Sequence, residues 1–210
     1  MNIVGISGSP RMGNTEAILR MLLEDLGGLG VETELLLLRK LKIGFCDSCY
    51  KCFGKQKCTK EDDVSIIVHP KILAADALIF GSPSYFGSVS GQMKTLMDRC
   101  LPFINMYFPG PLRGKLTVNI ITYGRGGGLQ VAHPTFDQWC LGMGMNIFDN
   151  LSFKALEKND AENSNTIRSR LHLAARELFE ATNLKLKDKS DNIFPRLLAT
   201  EKALSDKWKR

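Results

Sequence analysis

Four of the six cysteines lie close together, at Cys46, Cys49, Cys52 and Cys58. The spacing Cys-x2-Cys-x2-Cys-x5-Cys resembles the tight thiolate runs that bind the irons of a cubane iron–sulfur cluster. Structural zinc sites more often pair two Cys-x2-Cys units a dozen or more residues apart, and Cys58 has no partner unit of that kind. We therefore predict a [4Fe-4S] cluster on these four thiolates. Zinc, a redox-active thiol pair and an unused site are the alternatives.

The other two cysteines, Cys100 and Cys140, occupy apolar positions of predicted helices. We interpret them as buried, inert thiols. The three histidines are scattered. His133 lies near a predicted cofactor loop, where it could be a proton source, but a capping or surface role fits it better.

A glycine-rich loop, Gly5 to Thr15, is the second chemical signal. An apolar run precedes it and an amphipathic helical pattern follows it. A strand, a polar loop and a helix in that order form an anion site, because the N–H groups of the first helical turn point at the ligand. The loop adds donors from Ser7, Ser9, Asn14 and Thr15, and Arg11 offers a guanidinium fork.

The glycines of this loop match neither the dinucleotide fingerprint Gly-x-Gly-x-x-Gly nor the P-loop, which needs a lysine where Asn14 stands. The loop instead suits a terminal phosphate monoester. An ordinary strand–helix turn with a Ser or Asn cap is the alternative.

Two further loops follow predicted strands, at 81–87 and 123–128. The carboxyl ends of parallel strands meet at one edge of a sheet, so the three loops should converge there. Tyr85 and Phe86 give the second loop two aromatic faces. The convergence predicts a cleft for a flat ligand with a phosphate tail.

Alternating elements must position these loops. We predict strands at 2–6, 31–38, 77–80, 116–122 and 146–153, and helices at 14–27, 62–75, 91–103, 129–142 and 164–184. This alternation is typical of an α/β protein in which helices cover both faces of a parallel sheet.

Three stretches together resemble the flavodoxin-like NAD(P)H-dependent FMN reductases: 5–15, 82–87 and the helix 91–99. Within that group, the cysteine run is similar to the cluster motif of archaeal and bacterial iron–sulfur flavoproteins. The resemblance covers about residues 1–180 and implies a flavodoxin-like three-layer sandwich with a five-stranded parallel sheet.

The resemblance also implies the cofactors. The first loop would hold the FMN phosphate, the second would lie along the isoalloxazine ring, and the third would close the other side of the ring. The residues expected to bind FMN are Ser7, Ser9, Pro10, Arg11, Asn14, Thr15, Pro83, Ser84, Tyr85, Phe86, Gly87, Tyr123, Gly124 and Gly126.

Length and composition predict one FMN-binding domain at 1–184, with the cysteine loop at about 44–60, and a helical tail at 185–210. Most of the net charge of +6 lies in that tail. The tail mixes both signs and lacks aromatic residues interleaved with arginine, which argues against nucleic-acid binding. The sequence shows no signal peptide or membrane span, so we expect a cytoplasmic protein.

Three functions fit this reading. The first is an FMN-dependent oxidoreductase that couples a [4Fe-4S] cluster to FMN, with ferredoxin or NAD(P)H as redox partner. The second is an NAD(P)H-dependent FMN or quinone reductase whose cysteines are empty or bind zinc. The third is a flavin-binding redox sensor. A homodimer or homotetramer is expected from the resemblance, from the apolar positions of 93–108 and from the amphipathic tail.

Overall fold

The sheet has five parallel strands in the order β2-β1-β3-β4-β5. This computed structural model describes residues 1–52, 55, 57–104, 110–125 and 129–187. The strands are β1 (Asn2–Ser7), β2 (Glu32–Leu37), β3 (Ala77–Pro83), β4 (Leu116–Tyr123) and β5 (Asn146–Lys154). The order is that of the flavodoxin-like doubly wound fold, with its switch point between β1 and β3, and it confirms the predicted fold class.

Helices cover both faces of the sheet. They are α1 (Asn14–Gly28), α2 (His69–Ala74), α3 (Gly91–Arg99), α4 (Leu129–Gly142), α5 (Asp160–Asn163) and α6 (Asn165–Lys187). One core joins Val4, Ile6 and Phe80 to α2, α3 and α4, and the other joins Ile3 and Ile79 to α1 and α6. The central strands are apolar throughout because both of their faces are covered.

Two predicted helices are interrupted at prolines. Helix α3 ends at Arg99, and Leu101–Phe103 form a separate 3-10 turn. The helix predicted at 62–75 is a π-helical turn, Val64–Val68, followed by α2. Pro102 and Pro70 have no amide hydrogen to donate, so a regular α-helical ladder cannot run through them. The predicted bounds of these two helices were therefore wrong.

The apolar side of α3 contributes to the core of its own chain. Met93, Leu96, Met97, Cys100 and Phe103 are all buried there. This burial explains part of the apolar pattern that suggested an interface. Residues 105–109 and the tail side chains Phe194, Leu197, Leu198, Leu204 and Trp208 lie outside the described residues. The oligomer and the boundary at 184 stay predictions.

No helix in the described part of the chain is long and apolar enough to cross a lipid bilayer.

Candidate functional site

The first predicted cofactor loop is joined to β3 and α3 through Gly8. The Gly8 N–H donates to the Gly81 carbonyl at 2.8 Å. The Gly8 carbonyl accepts from Ser90 Oγ at 2.5 Å, and Ser90 Oγ also caps α3 by accepting from the Met93 N–H. The first loop and the start of α3 therefore form one hydrogen-bonded unit.

Within this loop, Ser9 shapes the backbone around Arg11. Ser9 Oγ donates to the Arg11 carbonyl at 2.6 Å, and the Ser9 N–H donates to Ser7 Oγ at 3.3 Å. Both serines are buried, whereas Pro10 and Arg11 are exposed. The two serine hydroxyls thus fix the loop, and the exposed Arg11 side chain borders the N-terminal end of α1.

Asn14 and Thr15 are engaged within the protein. Asn14 Nδ2 donates to the Glu157 carbonyl at 2.9 Å, and Asn14 Oδ1 accepts from the Ala161 N–H at 3.1 Å. Thr15 Oγ1 lies 2.5 Å from Thr122 Oγ1 at the end of β4. These side chains tie α1 to β4 and to the β5–α5 connection. The Asn14 amide reaches a phosphate only by exchanging one of these bonds.

The second loop ends in a tight hairpin turn between Tyr85 and Ser88. The Tyr85 N–H donates to the Ser88 carbonyl at 2.9 Å, and the Ser88 N–H donates back at 3.1 Å. Phe86 and Gly87 both have positive φ, 49° and 81°. A non-glycine residue there is uncommon, and such residues cluster at ligand sites. Phe86 is fully exposed, so the turn presents this ring to solvent.

The second and third loops meet at β4. The Ser84 N–H donates to the Thr122 carbonyl at 2.7 Å, and Pro83 pairs with Thr122 in the sheet. Tyr123 and Gly124 follow Thr122 and are half-buried. Gly126, which was also predicted to bind FMN, lies outside the described residues. The described parts of all three loops therefore lie at the carboxyl ends of β1, β3 and β4, as predicted.

Sequence analysis missed a buried acidic group in the first turn of α1. The Glu16 carboxylate accepts from Arg20 Nη2 at 2.7 Å and from Arg39 Nη2 at 2.8 Å. Burial acts to raise the pKa of Glu16, but the hydrogen bonds and charges of Arg20 and Arg39 outweigh it and lower the pKa. The i,i+4 spacing of Glu16 and Arg20 was the available signal. Arg39 lies too far along the chain to be found from spacing.

The four clustered cysteines share one cavity. Cys52 is buried, Cys46 and Cys58 are half-buried, and Cys49 is exposed. The same cavity is lined by the following side chains of the loop and of the C-terminal end of α3: Asp47, Tyr50, Lys60, Asp98, Arg99, Leu101 and Pro102. Burial first, and then the nearby Cys58, raise the pKa of the Cys52 thiol. Cys49 and Cys46 add smaller contributions in the same direction.

The donor set fits an iron–sulfur cubane. Such a cluster takes one thiolate on each iron, so its four sulfur ligands surround a volume. Tetrahedral zinc instead requires four ligands about 2.3 Å from a single ion. Among the described residues, no three His, Cys, Asp or Glu side chains are grouped so that they could hold one metal ion.

Cys100 and Cys140 are buried, which confirms the sequence interpretation. Burial raises the pKa of both thiols, that of Cys140 to about 12. His133 is half-buried, and its Nε2 lies 2.7 Å from Ser152 Oγ on β5. This hydroxyl is a structural partner on the sheet.

A family model described as NADPH-dependent FMN reductase matches residues 1–159 of the chain. An iron–sulfur flavoprotein of Methanocaldococcus jannaschii is 38% identical over 137 residues, which are 64% of this chain and 68% of that protein. An iron–sulfur flavoprotein of Methanosarcina thermophila is 30% identical over 192 residues, which are 90% of this chain and 99% of that protein.

Among solved structures, a flavodoxin from the domain Archaea superposes with a TM-score of 0.60 at 15% identity, covering 87% of this chain and 99% of the flavodoxin. This likeness shows the fold. The family is shown by the model, which spans most of the chain, and by relatives matched over two thirds or more of their length. The chain therefore belongs to the NADPH-dependent FMN reductase family and, within it, to the iron–sulfur flavoproteins.

Proposed function

We propose that this FMN-dependent oxidoreductase is an electron-transfer flavoprotein that couples FMN to a [4Fe-4S] cluster bound by Cys46, Cys49, Cys52 and Cys58. The observation that carries the proposal is the single cavity lined by all four thiols. FMN exchanges one or two electrons and a cubane cluster exchanges one, so together they connect one-electron and two-electron partners.

The chain's own groups would bind and orient FMN. The N–H groups that precede Ala17, the first residue hydrogen-bonded to Gly13, have no partner within α1 and would receive the phosphate. Arg11 would add a charge-assisted bond from the exposed side of the loop. The Tyr85–Ser88 turn would hold Phe86 and the adjacent backbone along the isoalloxazine ring.

Helix α3 separates the two cofactor sites. Its N-terminal end is bonded to the first loop through Ser90, and its C-terminal end borders the cysteine cavity through Arg99. Nine residues at about 1.5 Å each give a helix length of about 13 Å. A dimer or tetramer that brought one subunit's cysteine loop to its neighbour's flavin edge would shorten this path, and we propose such an assembly.

The exposed aromatic side chains support that assembly. Phe45 and Tyr50 on the cysteine loop and Phe86 on the second loop are all more than half exposed. Apolar rings on two functional loops are suited to a second subunit or to a redox partner such as ferredoxin. Light scattering of the FMN- and iron-loaded protein tests the assembly, and a monomer at micromolar concentration contradicts it.

The competing function is an NADPH-dependent FMN or quinone reductase without a cluster, which the description of the matching family favours. Anaerobic purification followed by assays of FMN, iron and acid-labile sulfide separates the two. We expect about one FMN and four iron atoms per chain, because a cubane contains four irons. Rapid NADPH oxidation by protein that contains FMN and no iron would establish the reductase instead.

A matched pair of variants assigns the iron to the loop. Cys49→Ala removes an exposed thiol from the cavity, and Cys140→Ala removes a buried thiol of the core. We expect the first variant to lose iron and sulfide while it keeps FMN, because no predicted FMN residue is a cysteine. The second should keep both. Full iron content in Cys49→Ala contradicts the assignment.

A further inference from the structure

The two ends of the cysteine loop are joined at a stem. The Asp63 N–H donates to the Lys42 carbonyl at 3.2 Å, and the Lys42 N–H donates to Asp63 Oδ2 at 2.7 Å. The Gly44 N–H donates to Asp62 Oδ2 at 2.9 Å. The segments 42–44 and 60–63 thus hold each other at the point where the loop leaves the body of the protein.

Arg99 completes this stem from the end of α3. Its Nη1 donates to the Gly44 carbonyl at 2.7 Å and to Asp62 Oδ2 at 2.6 Å. Its Nη2 donates to Asp62 Oδ1 at 2.9 Å and is 3.5 Å from the Lys60 carbonyl. One guanidinium therefore contacts both ends of the loop. Arg99 is 1% exposed, so it is a fully buried cation.

Arg99 also contacts the cysteine site itself. It lines the cavity, and it makes a hydrogen bond with Cys58. Burial acts to lower the pKa of Arg99, but the hydrogen bonds with Asp62 and Cys58 outweigh it and raise the pKa. Asp62 is not among the described residues that line the cavity. The positive member of the ion pair is therefore the one that faces the thiols.

Stability alone does not account for this pair. Buried ion pairs are often replaced by apolar residues of similar volume without loss of stability, because desolvation offsets the attraction between the charges. A cation beside a cluster has a specific effect, since reduction adds negative charge to the cluster. Net charge and hydrogen bonds to the sulfur atoms are among the factors that set cluster potentials.

We propose that Arg99 is a positioning residue for the iron–sulfur cluster: it clamps the ends of the cysteine loop, and its charge beside Cys58 raises the cluster's reduction potential. The proposal rests on the proposed function. Asp62 fixes the guanidinium in place and opposes its charge from the other side.

The two halves of the ion pair provide the test. Arg99→Gln and Asp62→Asn are prepared anaerobically, and the cluster potential is measured by redox titration with spectroscopic detection. We expect Arg99→Gln to shift the potential to more negative values and Asp62→Asn to shift it to more positive values. A purely structural clamp would loosen the loop in both variants without giving shifts of opposite sign. Shifts of the same sign, or none, overturn the proposal.

Three further variants complete the experiment. Lys71→Gln removes a charge from the exposed pair with Glu34 and should leave the potential unchanged. Arg99→Lys keeps the charge without the guanidinium fork, so it should retain less iron at a potential closer to that of the wild type than Arg99→Gln. If Arg99→Gln does not fold, the double variant with Asp62→Asn leaves no buried charge and should show a smaller negative shift.

The failures are distinguishable. Wild-type protein without iron and sulfide contradicts the proposed function and this inference with it. Wild-type protein whose cluster potential is unmoved in these variants contradicts this inference alone.

Discussion

Replacement of Gly8 by alanine tests whether the close contact between the first loop and α3 shapes the FMN site. A Cβ atom at Gly8 would lie 2.6 Å from Met93 Cβ and 3.0 Å from Ser90 Oγ. Met93 Cβ is attached directly to the helix backbone, so no side-chain rotation moves it away. Either the loop or α3 must shift, and the shift strains the hydrogen bond from Ser90 to the Gly8 carbonyl.

The expected cost follows from two opposing effects. Overpacking of a tight site costs about 1–3 kcal/mol. Alanine also restricts the unfolded chain, which stabilises the folded state by about 0.4–1 kcal/mol. Gly8 does not have a positive φ, so alanine adds no backbone strain. We therefore expect Gly8→Ala to lower the free energy of unfolding by about 1–2 kcal/mol and to weaken FMN binding.

Gly13 provides the matched control, because it belongs to the same loop and precedes α1. No atom lies within 4 Å of a Cβ built there, and its φ of 176° is ordinary extended backbone. Gly13→Ala should leave the stability of the FMN-free protein unchanged or slightly higher. If Gly13→Ala weakens FMN binding all the same, the open space beside it is occupied by the ligand.

Urea unfolding of the FMN-free protein, followed by circular dichroism, gives the stability of both variants. Flavin-fluorescence titration gives their FMN affinity. If Gly8→Ala were as stable as wild type and bound FMN equally well, the loop and helix would have to yield without cost. The contact would then not be what shapes the site.

Three other outcomes are expected. Arg11→Ala should weaken FMN binding by about 1.5–3 kcal/mol, which is the worth of a charge-assisted bond, and unchanged affinity in a fluorescence titration removes Arg11 from the site. Phe86→Gly relieves a positive φ, so it should keep or raise stability in urea while lowering FMN affinity; a loss of stability contradicts this reasoning. The pKa of Asp62 is lowered to about 2, since the hydrogen bonds of Arg99 and the Gly44 N–H outweigh burial. Its folded pKa lies below its unfolded value, so its contribution of at most about 2 kcal/mol is complete above pH 4 and is lost as the pH falls towards 2. This loss should be absent from acid unfolding of Asp62→Asn.

The fold could be predicted because both signals for it are local. Buried parallel strands appear as short apolar runs, and helices appear as amphipathic segments between them. The ends of β1, β3 and β4 differ from the prediction by a few residues at most. The errors in the helices fall at Pro70 and Pro102, where the sequence did show the prolines and the prediction ran through them.

The side-chain partners within the site could not be predicted in the same way. Asn14 and Thr15 were identified as ligand donors from their residue types. Their partners, Glu157 and Thr122, are 143 and 107 residues away along the chain. A loop pattern shows which donors are present, whereas the fold decides which of them remain free for a ligand.

Arg99 shows the same limit at the cysteine site. In the sequence it is the last residue of a helix motif, and a charged residue at that position is ordinarily exposed, because a cation near a helix C-terminus is favourable there. In the structure it is buried against Asp62, which lies 37 residues away. Because α3 also begins at the FMN loops, a substitution that displaces this helix would disturb both sites at once. A variant is therefore informative about one cofactor only when its effect on the other is measured in the same sample.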